Sequence, residues 1–179
     1  NNQGPVSTQS VVDNTGAAVE GGVAAIGSIS DVTQLATLGS GADLAGLFTE
    51  FDGASGSVGS VGVFNGVYNF SNNGASIVGS GFEGAPIYLV LGNGSDIASS
   101  TQAAVLEIGS FPTSEPAVST IFVNNSSSTA LLGDFDTFTL QPATVPRQNP
   151  ALALVGIPEP SSSLLIGLAG LSLLIRRRR

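Results

Sequence analysis

Residues 87–108 read IYLVLGNGSDIASSTQAAVLEI: an apolar run over 87–91, the turn formers Gly92-Asn93-Gly94-Ser95, and a second apolar run over 103–108. Short runs of Ile, Leu and Val bounded by Gly, Asn and Ser have the pattern of strands joined through turns. Working outward, the same pattern recurs beyond Gly53 at intervals of about ten residues, marking strands at 61–64, 67–70, 76–78, 119–123 and 136–140. Asn124-Asn125-Ser126-Ser127 supplies another turn. This spacing predicts a mainly β fold, sandwich-like or barrel-like.

Upstream, Asp13-Asn14-Thr15-Gly16 separates Val11-Val12 from Ala17-Ala18-Val19, which predicts a hairpin, and 23–29 reads as a further strand. Asp31 and Gln34 then form a capping-box pattern, and Leu35, Leu38, Leu44, Leu47, Phe48 and Phe51 follow at helical spacing. The expectation is one helix, or two short ones broken at Gly39-Ser40-Gly41, within residues 31–51. Residues 141–157, QPATVPRQNPALALVGI, carry three prolines and are expected to form a linker. The division is therefore a β-rich domain over 1–140, a linker over 141–157 and a tail over 158–179.

Composition removes large classes of chemistry. The 179 residues include no His, Cys, Lys, Met or Trp. Without His or Cys there is no imidazole or thiolate metal site, no Ser/His or Cys/His nucleophile pair and no disulfide framework. Without Lys there is neither a P-loop ammonium nor a Schiff base. Apolar residues make up 42% of the chain and charged ones 10%, which favours a packed core over charge-driven disorder. The absence of Met, with a start at Asn1-Asn2-Gln3, leads to the expectation that a leading segment has been removed, by signal-peptide cleavage or by trimming.

Charge is segregated along the chain. Arg176, Arg177, Arg178 and Arg179 hold four of the five basic residues, so over 1–175 Arg147 alone faces all 13 acids, a formal charge of −12. A body this acidic is repelled by phosphates and anionic headgroups, which argues against nucleic acid as a partner.

The tail has three parts in order. Pro158-Glu159-Pro160 comes first. Leu164, Leu165, Ile166, Gly167, Leu168, Ala169, Gly170, Leu171, Ser172, Leu173, Leu174 and Ile175 follow as twelve residues without charge, and the four arginines close the chain. The prolines remove two amide donors and push Ile157 and Glu159 toward extended geometry, so a helix cannot run backwards through them. With Ser161, Ser162 and Ser163 the apolar segment spans about 22 Å as a helix against a hydrocarbon core of about 30 Å, a gap that Arg snorkelling and local thinning can close. This predicts a single C-terminal transmembrane helix with its basic cluster cytoplasmic and residues 1–160 on the far side. The alternative is an ordinary single-span anchor preceded by a chance Pro-Glu-Pro.

These residues, PEPSSSLLIGLAGLSLLIRRRR, resemble the PEP-CTERM sorting signal of Gram-negative bacteria. The resemblance is confined mainly to residues 158–179. It implies an exosortase-type membrane enzyme as partner, transient anchoring in the inner membrane, processing at Pro158, Glu159 and Pro160, and onward passage to the cell surface or extracellular matrix, usually with exopolysaccharide. Stretches of the body, such as VVDNTGAAV and GAPIYLVLGNG, also resemble β-rich bodies carried by some proteins with this signal, which implies a sandwich and says nothing of an activity.

For the body itself, the remaining catalytic chemistry is paired carboxylates, as in glycoside hydrolysis. Glu50 with Asp52, and Asp134 with Asp136, stand two apart and would share one face of a strand. The alternative is a solvated or charge-protected strand edge, and only Tyr68 and Tyr88 offer larger aromatic platforms beside Phe. No catalytic residue and no cofactor is assigned. Weak candidates for a calcium ion are Asp134, Asp136 and Asp96, since Ca²⁺ takes carboxylate, carbonyl and amide oxygens from loops. The leading expectation is a non-enzymatic, exported surface or matrix protein processed through its tail. The alternative is a membrane-anchored calcium- or carbohydrate-binding adhesin whose tail is an unprocessed anchor.

Overall fold

The computed structural model describes residues 3–4, 7–8, 11–61, 64–68, 76–115, 123, 126–139 and 148–158. In chain order its strands are β1 (Gln3–Gly4), β2 (Ser7–Thr8), β3 (Val11–Val12) and β4 (Gly22–Ile29). A 3₁₀ turn (Val32–Thr37) and one helix, α1 (Gly41–Leu47), follow. Then come β5 (Phe48–Val61), β6 (Phe64–Tyr68), β7 (Pro86–Gly92), β8 (Gln102–Ser110), β9 (Thr129–Leu132), β10 (Asp134–Thr139), β11 (Gln148–Ala153) and β12 (Val155–Gly156). The protein is mainly β, as expected.

Its largest sheet has seven strands in the order β12-β8-β7-β4-β5-β6, with β9 also paired to β8. A second sheet has the order β10-β11-β3, and β1 pairs with β2. The strands of the quoted stretch lie at the centre. β7 and β8 pair antiparallel from Pro86↔Ser110 to Gly92↔Ala103. Along β7 successive residues serve opposite faces, as the two-residue period of a strand requires. Ile87, Leu89 and Leu91 join a core cluster with Val11 and Leu152 of the smaller sheet, whereas Tyr88 and Val90 join another with Leu35, Leu38 and Leu44 of the helical segment. The large sheet is thus covered on one face by the small sheet and on the other by residues 32–47, which is why 87–91 is an unbroken apolar run rather than an alternating one.

The helical segment takes the two-piece form. Asp31 caps the first piece by accepting from the Thr33 amide and hydroxyl, and Gln34 closes the box by donating its side-chain amide to Asp31. Ser40 caps α1 by accepting from the Asp43 amide, while Asp43 reaches back to the Gly39 amide. The expected helical range up to residue 51 is corrected: α1 stops at Leu47, and Phe48 is already extended at φ −94°, ψ 133°. Pairing wins over the helical spacing because Ile29↔Phe48 and Ser28↔Thr49 open the β4–β5 ladder. Between Ala25↔Ser55 and Gly27↔Glu50 the register shifts, and Gly53 takes a φ of +73° in that bulge. There Phe51 meets Phe82 and Phe111 with ring centroids 5.2 and 5.0 Å away.

Other expectations change. The strand predicted over 61–64 is split, since Val61 ends β5, Phe64 begins β6 and the two residues pair. The strand predicted over 76–78 is absent, for Ile77 instead begins a turn closed by the Ser80 amide on its carbonyl at 3.1 Å. Of the strand expected over 119–123 only Val123 falls among the described residues, buried in the core.

The linker expectation is corrected over its second half. Gln148–Ala153 forms β11, which pairs with β10 over six residues and in parallel with β3 at Leu152↔Val11 and Ala153↔Val12. Ala151, Leu152, Ala153, Leu154 and Ile157 are buried. Pro150 argued against a strand, but its pairing with β3 starts only at Leu152, so the missing amide falls where that side is still an edge. Residues 141–147 lie outside the described residues.

The predicted transmembrane helix also lies outside them. Among the described residues no helix is long and apolar enough to cross a membrane.

Candidate functional site

The feature that bears on function is the end of the large sheet where the chain leaves it. β12 pairs with the start of β8 through Val155↔Ala103 and Gly156↔Gln102, and the Ile157 amide donates to the Thr101 carbonyl at 2.8 Å. Ile157 is buried against the helical segment, in the cluster with Leu44 and Val105. The next residue, Pro158, is exposed. Of the tripeptide and tail expected to carry the sorting function, Pro158 alone is described; Glu159, Pro160, Leu164 to Ile175 and the arginines lie outside.

A rigid set of polar contacts holds this exit. The Asn93 carboxamide oxygen accepts from the amides of Thr101 and Gln102, both at 2.9 Å, and its nitrogen donates to the Thr101 hydroxyl at 3.0 Å. One side chain therefore closes the whole β7–β8 connection across eight residues. Inside it the buried Ser100 hydroxyl accepts from the Gly94 amide and donates to the Asp96 carbonyl. The early turn joins the same place, because the Asn14 amide donates to the Gln102 side-chain oxygen at 2.9 Å. That turn is the expected one: Asp13 accepts from the Thr15 amide and hydroxyl and the Ala17 amide, Gly16 stands at φ +84°, and Val12 bridges Ala18.

Two of these carboxylates are held ionised. The Thr15 hydroxyl holds Asp13 below the ordinary Asp value, and the Ser99 amide and hydroxyl do the same for Asp96. Oδ1 of Asp13 and both oxygens of Asp96 are engaged within their own turns. Asp96 is thus a loop-closing residue in the β7–β8 connection, while Asp134 and Asp136 lie on β10 of the smaller sheet, paired with Ala153 and Ala151 of β11. Asp134 is exposed, and the side chain of Asp136 is outside the described set. Among the described residues no group of three or more acidic side chains could hold a metal ion. Glu50 stands exposed on β5 opposite Gly27, and the side chain of its expected partner Asp52 is likewise not described.

Sequence reasoning missed a second carboxylate-built region. Glu83 accepts from the amides of Gly79 and Gly81 and closes its own turn, while Glu115 accepts from the Ser76 hydroxyl and the Val78 amide and ties residues 76–78 to the segment after β8. Nothing in the linear pattern marks a contact across 37 residues, although a carboxylate two residues after Gly79-Ser80-Gly81 is a local hint for Glu83.

No family model, curated protein or solved structure matches this chain. Its function is accordingly argued from its own residues.

Proposed function

We propose that the chain is an exported surface or matrix protein, its sandwich-like β body carried to its destination by a C-terminal signal that an exosortase-type membrane enzyme reads and processes. The observation that carries this reading is the ordered tail: Pro158-Glu159-Pro160, a charge-free apolar segment from Leu164 to Ile175, then Arg176 to Arg179. The apolar segment inserts as a transmembrane helix, the arginines stay on the cytoplasmic side, and the tripeptide is held at the outer face. Glu159 offers the enzyme one charge on a backbone stiffened by proline on both sides. Cleavage near the tripeptide frees or transfers the body and leaves the helix behind.

What supports the reading from the body is the chain just before the tripeptide. Ile157 is buried and hydrogen-bonded, whereas Pro158, the first residue of the signal, is exposed. The body acts as a displayed, non-catalytic module, and its excess of acids suits an exopolysaccharide matrix bridged by cations.

The test is the intact mass of the protein recovered from the surface of its native cells, beside the variants Glu159→Ala and Pro158→Ala. The expected wild-type chain ends within 158–163, while the variants keep their tails. A wild-type mass that includes Arg179 overturns processing and favours a retained anchor.

A further inference from the structure

We propose that Asn93-Gly94 is a latent deamidation site that the fold keeps shut, so that Asn93 loses its amide only when the β7–β8 connection opens. The chemistry needs water and no enzyme, and it does not depend on how the chain is sorted. The Gly94 main-chain nitrogen gives up its proton to water and attacks the carbon of the Asn93 carboxamide. The new C–N bond closes a succinimide ring, and the carboxamide nitrogen leaves as ammonia. Water then opens the ring at either carbonyl, leaving aspartate or isoaspartate at position 93. A following glycine favours this reaction, because no side chain hinders ring closure and its backbone turns freely.

The fold demands both residues of the pair. A short carboxamide meets the three bonds that close this connection: its oxygen accepts from the Thr101 and Gln102 amides, and its nitrogen donates to the Thr101 hydroxyl. At the next position a Cβ would lie 2.7 Å from the Ser99 hydroxyl and 2.8 Å from the Ser100 main-chain nitrogen, so a larger residue does not fit. The labile pair is a by-product of closing the turn.

The same contacts guard each reacting atom. The attacking nitrogen holds its proton on the Ser100 hydroxyl at 3.1 Å, and that hydroxyl, in a residue 3% exposed, is fixed in turn by donating to the Asp96 carbonyl at 2.8 Å. Water therefore reaches this proton poorly. The attacked carboxamide is pinned by two amides on its oxygen, both at 2.9 Å, and by the Thr101 hydroxyl on its nitrogen at 3.0 Å. The Asn93 amide donates to the Gln102 carbonyl at 3.1 Å, which holds the backbone on the other side of the side chain. The rotations that would bring the carboxamide carbon onto the Gly94 nitrogen are thus blocked from both ends. Reaction waits for opening, and its rate is that of the unfolded chain multiplied by the open fraction. Isoaspartate adds a methylene to the main chain and cannot restore the three bonds, so each event leaves the connection permanently loosened.

The test uses the full chain in mild detergent, incubated in mildly alkaline buffer with and without denaturing urea, and reads aspartate and isoaspartate at each site by mass spectrometry of its peptides. Asn65 and Asn73, each also followed by glycine, serve as clocks for the unfolded chain in urea. Asn93 should react in urea at about their rate, and at least about tenfold more slowly in the folded chain. Hydrogen exchange of the Gly94 amide should be slowed by folding to a similar degree, since both processes need the same N–H released. Ser100→Ala removes the acceptor of that N–H and should speed the reaction several-fold in the folded chain while leaving the urea rate unchanged.

An Asn93 that reacts equally fast folded and in urea overturns the proposal, as does a folded Ser100→Ala chain that reacts at the wild-type rate. If Ser100→Ala does not fold, exchange on the wild type decides. Matching protection of the Gly94 amide and of Asn93 supports the guard, and a Gly94 amide that exchanges as freely as in urea beside a slow Asn93 refutes it.

Discussion

Replacing Asn93 by Ala should cost about 2 kcal/mol of stability, and the origin of that figure is specific. The carboxamide oxygen accepts from two backbone amides, of Thr101 and Gln102, and the nitrogen donates to the Thr101 hydroxyl. A neutral hydrogen bond contributes about 0.5–1.5 kcal/mol net, and an amide stranded away from water costs toward or above the upper end. Thr101 is exposed, so water replaces much of what it loses, but Gln102 is half-buried at the start of β8 and its amide is less easily rehydrated. Together the three bonds are worth about 2 kcal/mol. Asn93→Asp keeps the accepting oxygen and loses only the donor, so it should cost about 0.5–1 kcal/mol. Urea unfolding of the full chain in mild detergent, followed by circular dichroism, reads both. With a slope of about 2 kcal/mol per molar for a domain of this size, the Ala variant should unfold about 1 M earlier and the Asp variant about 0.25–0.5 M earlier. An Ala variant indistinguishable from wild type, or an Asp variant as weak as Ala, would refute the idea that this one oxygen closes the connection.

Gly27 and Gly46 should respond oppositely to alanine. A Cβ at Gly27 would collide with the Thr49 carbonyl, backbone that cannot yield, so Gly27→Ala should break the β4–β5 ladder and lower the thermal midpoint sharply; Gly46 in α1 meets nothing within 4 Å, and Gly46→Ala should gain about 0.5–1 kcal/mol in the same melt. Acid should weaken the fold through Asp13, Asp31, Glu83, Asp96 and Glu115, all held below their ordinary values by hydrogen bonds to the ionised form. A depressed folded-state value means that this stability is complete above about pH 4–5, where the unfolded groups are ionised, and is lost as pH falls through the folded values. A midpoint that stays flat from pH 6 to pH 2 would contradict these contacts. Finally, Glu115→Gln should raise the acid resistance of segment 76–84 while lowering its stability at pH 7, because the amide keeps one oxygen acceptor but loses the charge; hydrogen exchange at Val78 reads both effects.

The parts of the fold legible in the sequence are those whose apolar residues need no partner to be recognised. β4, β7 and β8 are buried on both faces, so their runs of Val, Ile, Leu and Ala stand out whatever surrounds them. The turn at Asp13 and the cap at Asp31 were legible because their hydrogen bonds close within four residues. Where two periods fit the same residues, the sequence could not choose. Phe48 and Phe51 continue the spacing of Leu44 and Leu47 as well as they fit an extended chain, and pairing of Phe48 with Ile29 decides between them. β11 was hidden differently. Its Pro150 and small residues, with two further prolines just upstream, look like a linker, and its place between β10 and β3 depends on Val11 and Val12, some 140 residues earlier.

The same division explains why the proposed signal reads so plainly and its setting did not. A tail that an enzyme recognises as an extended peptide, and a membrane as an apolar helix, must carry its information in local order, because neither reader consults the fold. Its exit is the opposite case. Whether Pro158 is free or hindered depends on Thr101, Gln102 and Asn93, which adjoin it only once β7, β8 and β12 are paired. The body thus bears on the signal through position: it holds the chain at Leu154, pairs the two-residue β12 with β8, and leaves the first proline exposed directly after the buried Ile157. A substitution far from the tripeptide in sequence, such as Asn93→Ala, should for that reason loosen the exit and speed processing, whereas a change on the far edge of the sheet at β6 should not. Equal processing rates for the two would show that the enzyme reads the tail without regard to how the body holds it.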